Sequence, residues 1–187
     1  LASSETTATL LTYFLAANID MLQKAQHEVR SAFRSKEEIT LMSVGNLQFM
    51  LACLNEAMRC YPPTPTGLPR QTYRTSIVDG KVVPNGCTTP DSMMLDCRIC
   101  FQYVVNPDER YWKDPNEFVL ERWMGDPRYK GNQLGIHGTL PPFSVGPRNC
   151  IGKNLAYAER RLIVTQVLYN FDLTPSDESR DWIDIQK

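Results

Sequence analysis

The sequence predicts a mainly α-helical chain with small β elements. Apolar residues recur at helical spacing in four separate stretches. One short segment alternates around Asp79-Gly80 as a β-hairpin does. A tract from 104 to 149, rich in Pro, Gly and Asn, separates the hairpin region from the last helical stretch. The chain has 187 residues, enough for one domain with a core. No internal repeat or low-complexity tract divides it, so 1–187 reads as one unit without a second domain. Hydrophobic residues make up 42%, charged residues 22%, and the net charge is −1. That balance excludes the basic footprint of a nucleic-acid binder and gives no reason to expect a strongly charged substrate.

The first helix is expected over 1–18, with Leu11, Phe14 and Leu15 on one side. A second amphipathic helix follows over 20–34, and the polar run Ser35 to Glu38 ends it. A third runs from about Ser43 to Arg59 with a stripe of Leu47, Met50, Leu51, Leu54 and Met58. It is apolar nearly all round, which predicts burial. Pro62, Pro63 and Pro65 forbid its continuation. The hairpin is expected between Thr72 and Val83, with Ile77/Val78 facing Val82/Val83. Residues 84–103 show no period. A loop as long as 104–149 carries function or is disordered. The last helix spans about Gly152 to Asn170.

Six cysteines stand at 53, 60, 87, 97, 100 and 150. Their irregular spacing in a chain of this length favours reduced thiols over a disulfide framework. Cys97-Arg-Ile-Cys100 has no second ligand pair, so zinc is not expected there. No apolar run reaches the roughly 18 residues that span a bilayer. The chain begins with Leu1 inside a helical pattern, which suggests part of a longer protein.

The strongest chemical signal is the string from Phe143 to Gly152, Phe-Ser-Val-Gly-Pro-Arg-Asn-Cys-Ile-Gly. A thiolate that ligates iron must be ionised near neutral pH, which a helix N-terminus and nearby cations favour. Cys150 sits at the start of the last helix. No acid occurs from Pro127 to Ala158, while Arg128, Lys130, Arg148 and Lys153 do. Gly146 and Gly152 let the backbone turn tightly and approach a flat cofactor. Phe143 is placed to keep water from the sulfur, which tunes a metal. Upstream, Glu56 and Arg59 lie three apart on the third helix and can meet. On a solvated face such a pair contributes little. On a buried helix the Glu needs a partner.

The ten-residue string matches the haem-binding signature of the cytochromes P450, Phe-x-x-Gly-x-Arg-x-Cys-x-Gly, at every fixed position. The chain resembles that family throughout, as the end of the I helix, the J and K helices, a β-hairpin, the meander, the Cys-ligand loop and the L helix. The wording SETTATLL, EVRSAF, ACLNEA and PFSVGPRNCIGKNLAYAE is most similar to filamentous-fungal members. The resemblance implies haem as cofactor, Cys150 as axial iron ligand and Arg148 as propionate ligand, with Arg70 at the place of another. It makes Glu56 and Arg59 the family's Glu-x-x-Arg pair and Arg122, in Glu121-Arg122-Trp123, its third member. Glu5 and Thr6 match the acid and alcohol that relay protons to iron-bound dioxygen, although a mid-helix Thr also commonly bonds its own backbone. Thr64 to Leu68 and Ala2 resemble substrate-lining positions.

The activity so implied is insertion of one oxygen atom into an apolar small-molecule substrate, in secondary metabolism. Electrons would come from an NADPH-dependent reductase, and nucleic acid plays no part. The full-length protein would lie on the cytosolic face of the endoplasmic reticulum membrane, touching it through N-terminal sequence outside this chain. Lys153, Arg160 and Arg161 read either as a basic patch that docks the donor or as a solvated helix face. Alone, the chain is expected to bind haem weakly or fold incompletely. Two rival readings are a non-catalytic truncated fragment and a haem-thiolate isomerase or dehydratase that needs no donor.

Four departures from the family stand out. Ser3 replaces a Gly, Ile19 a common Pro, and Leu120 the Pro before Glu121-Arg122-Trp123. The stretch around 88–101 fits poorly and makes the chain about eight residues too long, as a retained intron would.

Overall fold

A break at Asn18 divides the first helical stretch from the second. Helix α1 spans Ala2–Ala17 and α2 spans Ile19–Ala32. Asn18 leaves helical geometry at φ −123° and ψ 86°. Its side-chain amide donates to the Phe14 carbonyl at 2.9 Å, and its own carbonyl accepts the Leu22 N–H at 2.9 Å. One residue thus closes α1 and opens α2. Ile19 takes the first helical position of α2, the place where Pro fits best, and its side chain is exposed. The computed structural model describes residues 2–63, 71–78, 80–87, 106–129, 142–144, 146–147 and 149–177.

Helix α3 begins later than its apolar stripe predicts. Ser43–Asn46 form a 3-10 turn, Leu47 is extended, and α3 proper spans Gln48–Cys60. Gly45 and Asn46 are weak helix formers, and the Leu47 side chain turns into the core. Leu47 provides no side-chain cap. Glu28 on α2 supplies one instead: its two carboxylate oxygens accept the N–H groups of Phe49 and Met50, each at 2.9 Å. A tertiary contact therefore satisfies donors that a local Ser or Asp usually takes.

Strands β1 (Ser76–Val78) and β2 (Lys81–Val83) pair antiparallel with Ile77 opposite Val82. Gly80 has φ +74°, as a two-residue hairpin turn requires. The hairpin forms as expected but with strands shorter than Thr72–Val83.

Helix α4 spans Lys153–Asn170 and packs against α1, α2 and α3. Leu11 and Leu15 of α1, Met50 and Leu54 of α3, and Val164 and Leu168 of α4 are all buried in one cluster. Arg30 of α2 closes the end of α4, donating to the carbonyls of Leu168 (3.2 Å) and Phe171 (3.1 Å). In the long irregular tract, Leu120–Arg122 and Pro127–Tyr129 form 3-10 turns. Leu120 is buried in the core, and Phe118 stacks on Phe14 with ring centroids 4.8 Å apart. The Leu at the family's Pro position thus seats the turn by packing. Among the described residues, no helix is long and apolar enough to cross a membrane.

Candidate haem-ligand site and its supporting cluster

The Cys150 loop is tied at its base. The Cys150 N–H donates to the Phe143 carbonyl at 2.9 Å, and the Asn149 N–H to the Gly146 carbonyl at 3.1 Å. Gly146 has φ +79°, a conformation that strains any residue with a Cβ. Ser144, at φ +61°, also adopts the left-handed region, so the turn is tight on both sides. At Gly152 the need is different. A Cβ there would lie 3.8 Å from the Cys150 sulfur, an ordinary contact, and the backbone is unstrained at φ −83°. What the missing side chain leaves open at Gly152 is room beside the sulfur.

Cys150 is an exposed free thiol. It lies three residues before Lys153, whose N–H reaches the Cys150 carbonyl at 3.3 Å. The thiol therefore stands one turn ahead of the helix rather than on its first residue, near the favourable end of the α4 dipole. The Phe143 ring is buried, 5.2 Å from the Tyr157 ring of α4, while Cys150 is exposed.

The cations expected around Cys150 are also redistributed. Arg128 pairs with Asp126 at 2.8 Å, and each holds the other charged. Its charge is used locally. Arg160 belongs neither to a basic docking patch nor to a solvated face, because it is fully buried. Its guanidinium lies 5.2 Å from the Phe143 ring centre and donates to the Met58 sulfur at 3.0 Å. The sequence reading erred because α4 carries Arg160 and Arg161 side by side, and only the packing of α4 on α3 separates them. Arg161 is half-buried, with its guanidinium over the Tyr157 ring at 5.7 Å, and Lys153 is exposed.

On α3, Glu56 organises a buried network. Glu56 and Arg59 are both buried on α3, and the pair is bidentate: Arg59 Nε donates to Oε2 and Nη2 to Oε1, each at 2.9 Å. Arg122, also buried, donates through Nε to Glu56 Oε1 at 3.2 Å. Oε1 accepts the Val119 N–H as well, at 2.9 Å. The Trp123 indole N–H donates to Oε2 at 2.8 Å. Trp123 is a member of this cluster that the sequence reading named only as part of a motif.

The guanidiniums extend the network to the irregular tract. Arg59 donates to the carbonyls of Asn106 (3.1 Å), Pro115 (2.7 Å) and Glu117 (2.8 Å). Arg122 donates to those of Lys113 and Asp114. Asn106, buried, returns its amide to the Arg59 carbonyl at 2.8 Å. Trp112 lies against both cations, 5.4 Å from Arg59 and 5.9 Å from Arg122. Burial lowers the Arg59 pKa, but the Glu56 carboxylate outweighs it and holds the guanidinium charged.

Glu5 and Thr6 lie on α1, their side chains outside the described residues. The next residues, Thr7 and Ala8, are buried. Arg148, Arg70, the 64–68 segment, Cys97 and Cys100, and the 88–101 stretch also lie outside the described residues. Among the described residues, no three His, Cys, Asp or Glu side chains cluster as metal ligands. A groove of about 1020 Å³ lies between α2 and the turn from Leu120 to Asp126, lined by residues such as Lys24, Phe49 and Met124, and Cys150 takes no part in it.

The Cys150 loop fits a haem by the chemistry of its donor. It offers one exposed sulfur with a glycine beside it. Comparison with known proteins identifies the family. The sequence model of the family "Cytochrome P450" matches residues 1–187. Cytochrome P450 monooxygenase tpeC of Talaromyces stipitatus is 49% identical over 189 residues, covering 100% of this chain and 35% of the relative. Cytochrome P450 monooxygenase 1 of Neocamarosporium betae is 44% identical over 190 residues, covering 100% and 37%. The trichothecene C-15 hydroxylase of Fusarium sporotrichioides is 40% identical over 186 residues, covering 97% and 35%. The chain spans about a third of the length of the curated relatives it matches. With its Cys150 loop, its Glu56 network and its mainly helical architecture with one small two-stranded sheet, this chain belongs to the cytochrome P450 family and has a partial fold of that family.

Proposed function

We propose that the protein containing this chain is a haem-thiolate monooxygenase that inserts one oxygen atom into an apolar organic substrate. The observation that carries the reading is the Cys150 loop, closed by the Cys150 N–H on the Phe143 carbonyl with the thiol exposed at its tip. Haem, when bound, supplies the dioxygen chemistry. The residues of this chain supply the rest. Cys150 ligates the iron as a thiolate and donates electron density to it. Gly146 shapes the turn, Gly152 leaves room beside the sulfur, and Phe143 anchors the loop to α4. Arg148 and Arg70 hold the two propionates. Glu5 and Thr6 on α1 deliver protons on the substrate side, with the acid next to the alcohol. Glu56, Arg59 and Arg122 hold the irregular tract against α3, so that the Cys150 loop has a rigid base. The domain extends over 1–187 as part of a longer unit.

Electrons come from an NADPH-dependent reductase, and the full-length protein sits on the endoplasmic reticulum membrane. The named trichothecene hydroxylases of Fusarium sporotrichioides and Trichoderma arundinaceum suggest secondary metabolism and make trichothecene-like metabolites the first substrates to screen. The test is conversion by the full-length protein with NADPH, reductase and isotopically labelled dioxygen. One labelled oxygen atom in the product is expected. Oxygen drawn from water contradicts the reading, and conversion without NADPH and without gain of an oxygen atom contradicts it in favour of a donor-independent isomerase or dehydratase.

A further inference from the structure

The Cys150 loop is moored to α4 through an aromatic pair. The Cys150 N–H donates to the Phe143 carbonyl at 2.9 Å, which fixes the backbone of the sulfur-bearing residue to Phe143. The Phe143 ring is buried and meets the Tyr157 ring with centroids 5.2 Å apart and planes tilted by 49°. Ring pairs at such a separation attract each other beyond the area they bury. Tyr157 belongs to the first turns of α4, and helical side chains lean toward the helix N-terminus, here toward the loop.

The other end of Tyr157 is tied to a different helix. Its hydroxyl donates to Asn55 Oδ1 on α3 at 3.0 Å. Burial pushes the phenol pKa up, against Arg160 and Arg161, so the hydroxyl keeps its proton at neutral pH and can donate. Asn55 and Tyr157 are both half-buried, so the bond is partly shielded from water. Asn55 immediately precedes Glu56, whose carboxylate holds Val119 and Arg122 of the irregular tract. Contacts thus run without a gap from α3 to the ligand loop: Asn55 to the Tyr157 hydroxyl, the Tyr157 ring to the Phe143 ring, and the Phe143 carbonyl to the Cys150 N–H. A phenylalanine at position 157 would keep the ring contact and lose the tie to α3.

We propose that Tyr157 is a positioning residue for the Cys150 ligand: bonded to Asn55 and packed on Phe143, it ties the ligand loop to the helix that carries the Glu56 network. This rests on the assignment of Cys150 as the iron ligand. Tyr157 acts through the Phe143 ring and through the loop bond that Phe143 makes. A loop that carries a metal ligand must hold its donor atom in one place, and outer groups that fix the ligand's orientation do so. Without the tie the helices keep their packing and the loop relaxes, so the bond from the Cys150 sulfur to iron breaks more readily.

The test uses full-length haem-loaded protein and three variants: Tyr157→Phe, Asn55→Ala and the two combined. The readouts are the rate at which the thiolate-type band of the reduced, carbon-monoxide-bound protein is lost in mild urea, and the helical far-ultraviolet signal over the same time. Each single variant is expected to lose the band about two- to tenfold faster than wild type, the effect that one net hydrogen bond carries. The combined variant should be no faster than the faster single one, because the two residues share one bond. The helical signal should hold while the band disappears. Wild-type rates in the single variants, or effects that add in the combined one, overturn the proposal. Loss of the helical signal in step with the band shows general destabilisation and also overturns it. Failure of both single variants to load haem supports the proposal where the helical signal is intact and overturns it where that signal is lost. The wild-type spectrum separates the two assignments. A histidine-type band removes Cys150 as ligand and the proposal with it, whereas a thiolate-type band with unmoved rates in the variants removes only the role of Tyr157.

Discussion

Glu28 on α2 caps α3 across a tertiary contact, with the Met50 N–H donating to its carboxylate at 2.9 Å. The Phe49 N–H takes the other oxygen at the same distance. Both are first-turn donors of α3 that no residue near Leu47 satisfies. Losing a side-chain cap costs about 0.5–2 kcal/mol. Glu28→Ala is expected to lower the urea midpoint of the full-length protein by that amount with an unchanged slope. Glu28→Gln, which keeps one acceptor, should recover part of it. An alanine variant as stable as the wild type contradicts the capping role.

Glu56 is the node of the buried network. Its oxygens accept from Arg59, Arg122, Trp123 and the Val119 backbone. Glu56→Gln leaves two buried guanidiniums without their carboxylate, so a loss of about 3–5 kcal/mol is expected in chemical denaturation. Trp123→Phe removes one hydrogen bond to a charged acceptor and should cost about 1.5–3 kcal/mol. Equal stability of wild type and Glu56→Gln contradicts a network that supports the fold.

These two acids show what the sequence made legible. Glu56 and Arg59 are readable because three residues on one helix place side chains together, and a motif marks Arg122 as their partner. The Glu28 cap is not readable, because it joins positions distant in sequence and replaces a local signal. The start of α3 was misplaced for the same reason, since a 3-10 turn and a helix share the apolar stripe from Val44 to Met50. Arg160 was misassigned because charge alone suggests solvent, and only the packing of α4 on α3 buries it. The position of Cys150 along the chain was legible from its string. The seat of the Phe143 ring against Tyr157 was not, because spacing does not say what a ring packs on.

The Cys60 thiol provides a pH-dependent signature. Burial, assisted by Glu56, pushes its pKa up to about 12. The folded state therefore holds the thiol proton more tightly than the unfolded state, where thiols titrate near about 8.5. Its contribution to stability is present in full below the unfolded value and is lost as pH rises toward the folded one. Cys60→Ala should flatten the decline in stability over that alkaline window relative to wild type. Identical alkaline slopes in the two proteins contradict this.

The ion pair of Asp126 with Arg128 is a contrast. The Arg128 side chain is exposed to solvent, where water screens the interaction. Arg128 holds the Asp126 carboxyl below its usual range, so any contribution exists above the ordinary carboxylate pKa and fades as pH falls through the lowered value. Asp126→Asn is expected to leave the denaturation midpoint unchanged at neutral pH. A loss as large as that of Glu28→Ala would show that the pair orders the Pro127–Tyr129 turn.

The central claim is that Cys150 binds haem iron as a thiolate. The most direct measurement is the absorbance spectrum of the reduced, carbon-monoxide-bound full-length protein, with Cys150→Ala measured beside it. The account predicts the red-shifted thiolate-type band in the wild type and its disappearance in the variant. A histidine-type band in the wild type, or a thiolate-type band that survives in Cys150→Ala, would contradict it.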